Sequence, residues 1–360
     1  MAVPIDELLS KMCEVDASDL HLKVGSPPVM RIDGELHPTS LPTLAPPDTE
    51  SFAEAVFSDR AAEEFRATGE ADFAYGKSKL GRFRVNVYRQ RGSVSLVIRR
   101  VLSESPGFED LGLPPVLSKL ASEPRGLVLV TGPTGSGKTT TLAAIIDYIN
   151  SSRRVNILTI EDPIEVLHSD KLGIVSQREI GVDTEDFGEA LKRVMRQDPD
   201  IIMIGEMRDA ETVRAALKAA ETGHLVLSSL HTIDATETIS RIVDFFPPYQ
   251  QKQIRLLIAG TLRGVVSMRL LDRADGHGRV PAVEVLTMNA RVFDRIVDEK
   301  STHTLADVIR EGEFYGMQSF DQAILELYKK NMIGYQDALG SASNPHDFRV
   351  KIEQLGLVRA

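Results

Sequence analysis

Leu127-Val128-Leu129-Val130-Thr131 runs directly into Gly132-Pro133-Thr134-Gly135-Ser136-Gly137-Lys138-Thr139, and the helical pattern Thr140 to Ile149 follows at once. An apolar strand, a glycine-rich turn ending in Gly-Lys-Thr and a helix are together the context a phosphate-binding loop requires. The glycines let the backbone curl around an anion, and the amides and helix N-terminus face it. Lys138 then reaches the β and γ phosphates of a nucleotide, and the Thr139 hydroxyl ligates magnesium. Gly132 to Thr139, with Thr140 beyond, are the candidate nucleotide-binding residues.

Outward from this loop, short and nearly continuous apolar runs (Val155 to Ile160, Ile201 to Ile204, Leu225 to Leu230) alternate with helical patterns. Strands buried on both faces and separated by helices describe an α/β domain with a parallel, doubly covered sheet, here of the recombinase-like type. From about Asn289 the spacing of Phe293, Ile296 and Val297, then Phe320, Ile324, Leu325 and Leu327, is helical and predicts a C-terminal bundle.

The N-terminal third reads differently. Asp19 to Leu22, Val29 to Ile32, Asp72 to Tyr75, Arg82 to Tyr88 and Val94 to Ile98 alternate or run apolar between turn residues, with helical spacing from Glu50 to Phe65. This predicts a small α+β domain with an antiparallel sheet over residues 1–102. Pro106, Gly107, Gly112, Pro114 and Pro115 place an interdomain linker at residues 103–115, and the loop-bearing domain occupies residues 116–360.

Composition narrows the function. The hydrophobic share of 42% and charged share of 26% are those of a soluble globular chain. No apolar run approaches the ~20 residues of a membrane span, and Met1 to Leu20 lacks the basic start of an export signal. A cytoplasmic protein is expected. The single cysteine, Cys13, beside Met12 and Val15, reads as part of a packed helix face. A net charge of −10 argues against extended binding to phosphate backbones.

A phosphate-binding loop does not say what the nucleotide is for, so the other polar motifs decide. Val155 to Ile160 ends in Glu161-Asp162-Pro163-Ile164-Glu165, which sets carboxylates at the edge of the sheet where ligands sit, unless this is only a solvated acidic turn. Asp200 precedes Ile201 to Ile204, and Gly205-Glu206-Met207-Arg208-Asp209 follows as an altered Walker B element. Glu206 is the candidate base for the attacking water. Glu161 is its candidate helper, acting through magnesium-bound water or the nucleophile. His224 and His231 bracket Leu225 to Leu230. Each alone would be structural; paired beside a phosphate loop they become candidate γ-phosphate sensors.

These four segments, with Glu221-Thr222-Gly223-His224 to His231-Thr232 as the last, resemble the nucleotide motifs of the secretion and pilus ATPase superfamily. Ala17-Ser18-Asp19-Leu20-His21-Leu22 and Arg82-Phe83-Arg84-Val85-Asn86 resemble the N-terminal domain of its type IV pilus retraction branch. The compact layout and Gly316-Met317-Gln318-Ser319-Phe320-Asp321-Gln322 are similar to the same branch. Leu305-Ala306-Asp307-Val308-Ile309-Arg310-Glu311 retains only the second half of that branch's C-terminal motif.

The resemblance implies a PAS-like first domain, a RecA-like second domain and a homohexameric ring that hydrolyses ATP with magnesium. It implies docking on an inner-membrane platform protein and, through it, removal of pilin from the fibre base to drive twitching motility. It also implies that Arg84 and Arg99 reach the nucleotide of a neighbouring subunit. Arg82 and Arg100 lie close by, and a one-residue register slip would turn the pair to the other face, where they are ordinary surface charges.

Pilus-extension and type II secretion ATPases of the superfamily are the alternatives, and they usually carry extra N-terminal domains. A nucleic-acid translocase needs a basic binding surface, whereas Arg82 to Arg91 alternates with Phe83, Val85 and Val87 as a half-buried strand does. A nucleotide-gated scaffold could dispense with Glu206.

Overall fold

The computed structural model describes residues 3–32, 34–101 and 105–357. The chain divides into two compact units, one built mainly from residues up to Glu104 and the other from Ser105 onward.

The first unit contains α1 (Ile5–Glu14), β1 (Asp19–Lys23), β2 (Val29–Ile32), β3 (Glu35–Pro38), α2 (Pro46–Val56), α3 (Asp59–Thr68), β4 (Glu70–Lys77), β5 (Gly81–Gln90) and β6 (Ser93–Arg100). Its antiparallel sheet has the order β3-β2-β1-β6-β5-β4. Phe83, Val85 and Val87 alternate inward along β5 and join Leu20, Leu22, Leu96 and Ile98 in one core under the helices. The expected helix from Glu50 to Phe65 is two helices: the chain breaks at Phe57 and Ser58, whose hydroxyl accepts from Ala61 N–H as the cap of α3. Cys13 lies on α1, half-buried against this core.

The second unit contains α4 (Val116–Ala121), β7 (Gly126–Thr131), α5 (Lys138–Ser152), β8 (Asn156–Glu161), β9 (Ile174–Glu179), α6 (Phe187–Val194), β10 (Ile201–Ile204), α7 (Ala210–Glu221), β11 (Leu225–Leu230), α8 (Ala235–Asp244), α9 (Pro248–Thr261), β12 (Leu262–Asp272), β13 (Arg279–Thr287), α10 (Ala290–Val297), α11 (Leu305–Arg310), α12 (Phe320–Lys329), α13 (Tyr335–Ser341) and α14 (Pro345–Gln354). The sheet order is β13-β12-β7-β11-β10-β8-β9. The two-residue period of a strand divides its side chains between two cores. Leu127, Leu129, Leu158, Ile160, Ile202, Ile204 and Val226 pack on one face with α7, α8 and α9. Val128, Val130, Ile157, Ile201, Met203, Leu225 and Leu227 pack on the other with α4 and α5.

The sheet is mixed rather than all parallel, because β13 runs antiparallel to β12 through nine paired positions, Gly264↔Thr287 to Asp272↔Arg279. Within the stretch expected as a linker, Leu113 is buried in the second unit's core and Phe108 stacks on Tyr148 at 5.1 Å. Apolar anchors, invisible among so many Pro and Gly, bind it there. Residues 102–104, where that linker begins, lie outside the described residues. Of the expected C-terminal helical positions, Ile296, Phe320, Ile324 and Leu325 are buried, whereas Phe293 stays 38% exposed. Among the described residues, no helix is long and apolar enough to cross a membrane.

Candidate functional site

Four parallel strands, β7, β8, β10 and β11, end at the same edge of the sheet. Ligands bind at that edge in doubly covered α/β sheets, and each strand delivers one polar group to it. β7 delivers the loop, β8 Glu161, β10 Glu206 and β11 His231.

The loop turns on Gly132, where φ is +145° and a Cβ would overlap Ser136 Oγ and lie 2.6 Å from Met268 O. Only glycine fits there. Lys138, buried at the first residue of α5, donates through Nζ to Gly132 O at 2.7 Å and Pro133 O at 2.9 Å. Pro133, Thr134 and Gly135 are exposed, as are Thr139 and Thr140 on the first helical turn, while Ser136 is buried.

His231 stands between the loop and the acidic strand end. Its Nδ1 lies 3.4 Å from Lys138 Nζ, and its Nε2 lies 3.3 Å from Glu206 Oε1. An ammonium can only donate, so Nδ1 accepts, and in the neutral ring the proton is on Nε2, aimed at Glu206. Arg208 Nε donates to the other oxygen, Glu206 Oε2, at 2.9 Å. The Glu206 carboxylate is therefore held from both sides.

The backbone around this pair is stitched by residues the sequence did not single out. Ser228 Oγ donates to Ile204 O and Ser229 Oγ to Gly205 O at 2.8 and 2.7 Å, and Met207 N–H donates to Ser229 O. These bonds fix the ends of β10 and β11 against each other. Two serines in an apolar strand were the available signal, since a buried hydroxyl must find a partner.

Glu161 is buried, and its Oε1 accepts from Thr159 Oγ1 at 2.6 Å and Gln177 Nε2 at 3.0 Å. It is a built, hydrogen-bonded carboxylate and not a solvated turn. The Thr139 hydroxyl and the Glu161 carboxylate are hard oxygen donors, the kind that magnesium takes while keeping several waters.

The two predicted histidines are not brought together. His224 precedes β11, so the strand's six residues, about 20 Å at ~3.3 Å each, separate it from the ligand edge. There Nδ1 lies 3.0 Å from Ala219 O, at the end of α7. Bracketing one strand puts two residues at opposite edges of a parallel sheet, and only one edge carries the loop.

In the first unit Arg84 and Arg99 are direct cross-strand partners and share one face, which settles the register question raised by Arg82 and Arg100. Arg84 donates from Nε and Nη2 to Asp72 at 3.1 and 2.9 Å. Arg99 donates from Nε to Asp19 at 2.8 Å.

One buried acid was missed altogether. Glu284 on β13 faces Ser267, which accepts from Thr131 at the root of the loop, and Glu284 Oε1 accepts from Ala235 N–H at the start of α8. Burial pushes this carboxyl up to about 7, against the partial relief of the Ala235 N–H and with Asp234 adding to the rise. Between its ordinary 4.5 and about 7 the folded chain holds the extra proton, so stability falls as pH rises through that window. Wild type should lose on the order of 3 kcal/mol from this group between pH 4.5 and 8. Glu284→Gln should flatten that slope, as chemical denaturation at pH 5.5 and pH 8 would show; an unchanged slope would contradict the burial argument.

Comparison with known proteins agrees with this geometry. Residues 3–332 match the family described as "Type II/IV secretion system protein". The chain is 41% identical over 344 residues to the type IV pilus retractation ATPase PilT of Pseudomonas aeruginosa, covering 96% of this chain and 99% of that protein. It is 39% identical to the type IV pilus ATPase PilU of the same organism, covering 97% and 91%. Among solved structures, the pilus retraction motor PilT with bound ADP superposes with a TM-score of 0.89 at 44% identity, covering 96% of this chain and 99% of that one.

Proposed function

The chain belongs to the type II/IV secretion system protein family, and on that premise we propose that it works as the hexameric motor of type IV pilus retraction. It is an ATP hydrolase, with the fold of a pilus retraction ATPase. The observation that carries the site assignment is the line Lys138–His231–Glu206, which joins the phosphate loop to the candidate base through one imidazole.

In this reading the loop amides from Gly132 to Thr140 and Lys138 bind the phosphates, exchanging the loop carbonyls now held by Lys138 for phosphate oxygens. Glu206 orients the attacking water and takes its proton. His231 reports the state of the γ-phosphate to both partners. Thr139 and, through water, Glu161 would hold magnesium, which neutralises charge on the β and γ phosphates. His224 has no part in the site of its own chain. Arg84 and Arg99 act on a neighbouring subunit's nucleotide, which makes the ring part of the active site.

The division between the two units, which falls just before Ser105, lets them shift as sites cycle, and that motion is the mechanical output. The motor works in the cytoplasm, docked on an inner-membrane platform protein and acting on the pilin fibre through it. Nucleic acid is not its track, and the net charge of −10 supports that. Deleting the gene from its host should leave excess pili that extend and do not shorten, with twitching lost. Counting pili by electron microscopy tests it, because a bald strain would mean an extension motor.

A further inference from the structure

We propose that Asp19 is the positioning residue of Arg99, holding its guanidinium by Nε alone so that both terminal amino groups remain available to a neighbour's phosphates, while Asp72 clasps Arg84. Arg99 is then the presented arginine of the pair. The proposal rests on the reading that these arginines act across the ring.

The register puts the charges in one row. Asp19 on β1 pairs with Arg31 on β2 and with Arg99 on β6, and Arg99 pairs with Arg84 on β5. Direct cross-strand partners share a face of the sheet. The row thus reads Arg31, Asp19, Arg99, Arg84.

Asp19 is the buried member, 6% exposed in its side chain, while Arg99 is 67% exposed. A buried carboxylate is retained only where it is bonded, and each oxygen has a partner here. Oδ1 accepts from Arg99 Nε at 2.8 Å; Oδ2 accepts from Ser18 Oγ at 2.7 Å, with Arg31 Nε 3.9 Å away. Burial alone would raise this carboxyl, but Ser18 and Arg99 hold it below its ordinary value, so it stays charged.

A guanidinium has five N–H donors in a fixed fork. Held at Nε, Arg99 keeps its four terminal N–H groups without a hydrogen-bond partner among the described residues, in the geometry that suits a phosphate. Arg84 is bound differently: its Nε and Nη2 occupy both oxygens of Asp72, a pair 46% exposed on either side. Asp72 thereby takes two of the five N–H donors of Arg84 and fixes one of its two terminal amino groups, whereas Asp19 takes a single N–H of Arg99 and neither terminal amino group. Arg84 can offer both terminal amino groups freely only by giving up Asp72.

The test uses full-length rings and two readouts, ATP turnover and affinity for a labelled ATP analogue. Asp19→Ala should lower kcat about 10- to 100-fold, the cost of a misplaced reacting group, with analogue affinity unchanged. Arg84→Ala should cost at least tenfold less than Arg99→Ala. Mixing then separates positioning from folding. Asp19→Ala co-assembled with Glu206→Gln should regain turnover, as Arg99→Ala with Glu206→Gln does, while Asp19→Ala with Arg99→Ala should regain none, because both lesions fall on the same side of each interface.

If Arg99→Ala complements Glu206→Gln and Asp19→Ala does not, in rings shown to have exchanged subunits, the positioning role is overturned and the trans arginine stands. If neither complements, both fall. An Arg84→Ala loss equal to that of Arg99→Ala also overturns the assignment. Should Asp19→Ala fail to assemble, Asp19→Asn keeps the shape and one acceptor oxygen; a smaller kcat loss with the same mixing pattern supports the proposal, and wild-type kcat overturns it.

Discussion

Glu206→Gln should lower ATP turnover by roughly 10²- to 10⁴-fold, the usual contribution of a general base, while a labelled ATP analogue binds almost as tightly as to wild type. The amide keeps an oxygen for Arg208 and the size of the side chain, so the loop and α5 stay in place, while His231 Nε2–H loses its acceptor. What disappears is the proton acceptor. Lys138→Ala should behave otherwise, because the task proposed for Lys138 is to bind the phosphates: analogue binding weakens and turnover is abolished together. The two variants form a pair of opposite signatures, read by fluorescence titration and phosphate release. Turnover above roughly a tenth of wild type in Glu206→Gln would remove Glu206 as the base.

Gly132→Ala should eliminate nucleotide binding without touching any charged group. Alanine there would need a φ of +145°, which L side chains rarely adopt, and its methyl would overlap Ser136 Oγ and sit 2.6 Å from Met268 O. Strain of about 1–3 kcal/mol from the backbone and a similar amount from overpacking cannot both be absorbed by a turn fixed between β7 and α5. The loop is expected to open. Analogue binding should fall by at least 100-fold and the melting temperature should drop by several degrees. A variant that binds the analogue normally would show that the loop tolerates a second shape.

Much of this was legible beforehand, and the pattern of misses has physical causes. The loop, the acidic strand ends and the central strands β7, β8, β10 and β11 were readable because one face requirement, burial on both sides, makes them short apolar runs. β9 was missed because Ile174–Glu179 mixes apolar and polar residues at the rim of the sheet. β12 and β13 carry Arg269, Ser267 and Glu284 inside long strands, and such polar interruptions hide the period.

The site itself divides the same way. Residue types with one chemistry, Lys138 and Glu206, could be placed by motif alone. His224 could not, because sequence spacing along a strand carries no information about which sheet edge meets the ligand. The supporting shell was illegible for a different reason: Thr159, Gln177, Ser228 and Ser229 act only through partners up to 24 positions away, and those pairings exist only once the sheet has formed.

All six residues of β7 are buried, and the strand is hydrogen-bonded to β11 on one side and β12 on the other. Backbone amides in such a place exchange with solvent only when the whole unit unfolds, whereas a sheet with one solvated face and an edge strand as exposed as β3 breathes more readily. Lys138 thus hangs from a strand buried along its whole length, and the arginine row rides on a sheet with an exposed edge. On warming, cooperation between subunits would fade first. The protein would then pass through a state that still grips its nucleotide and no longer spends it.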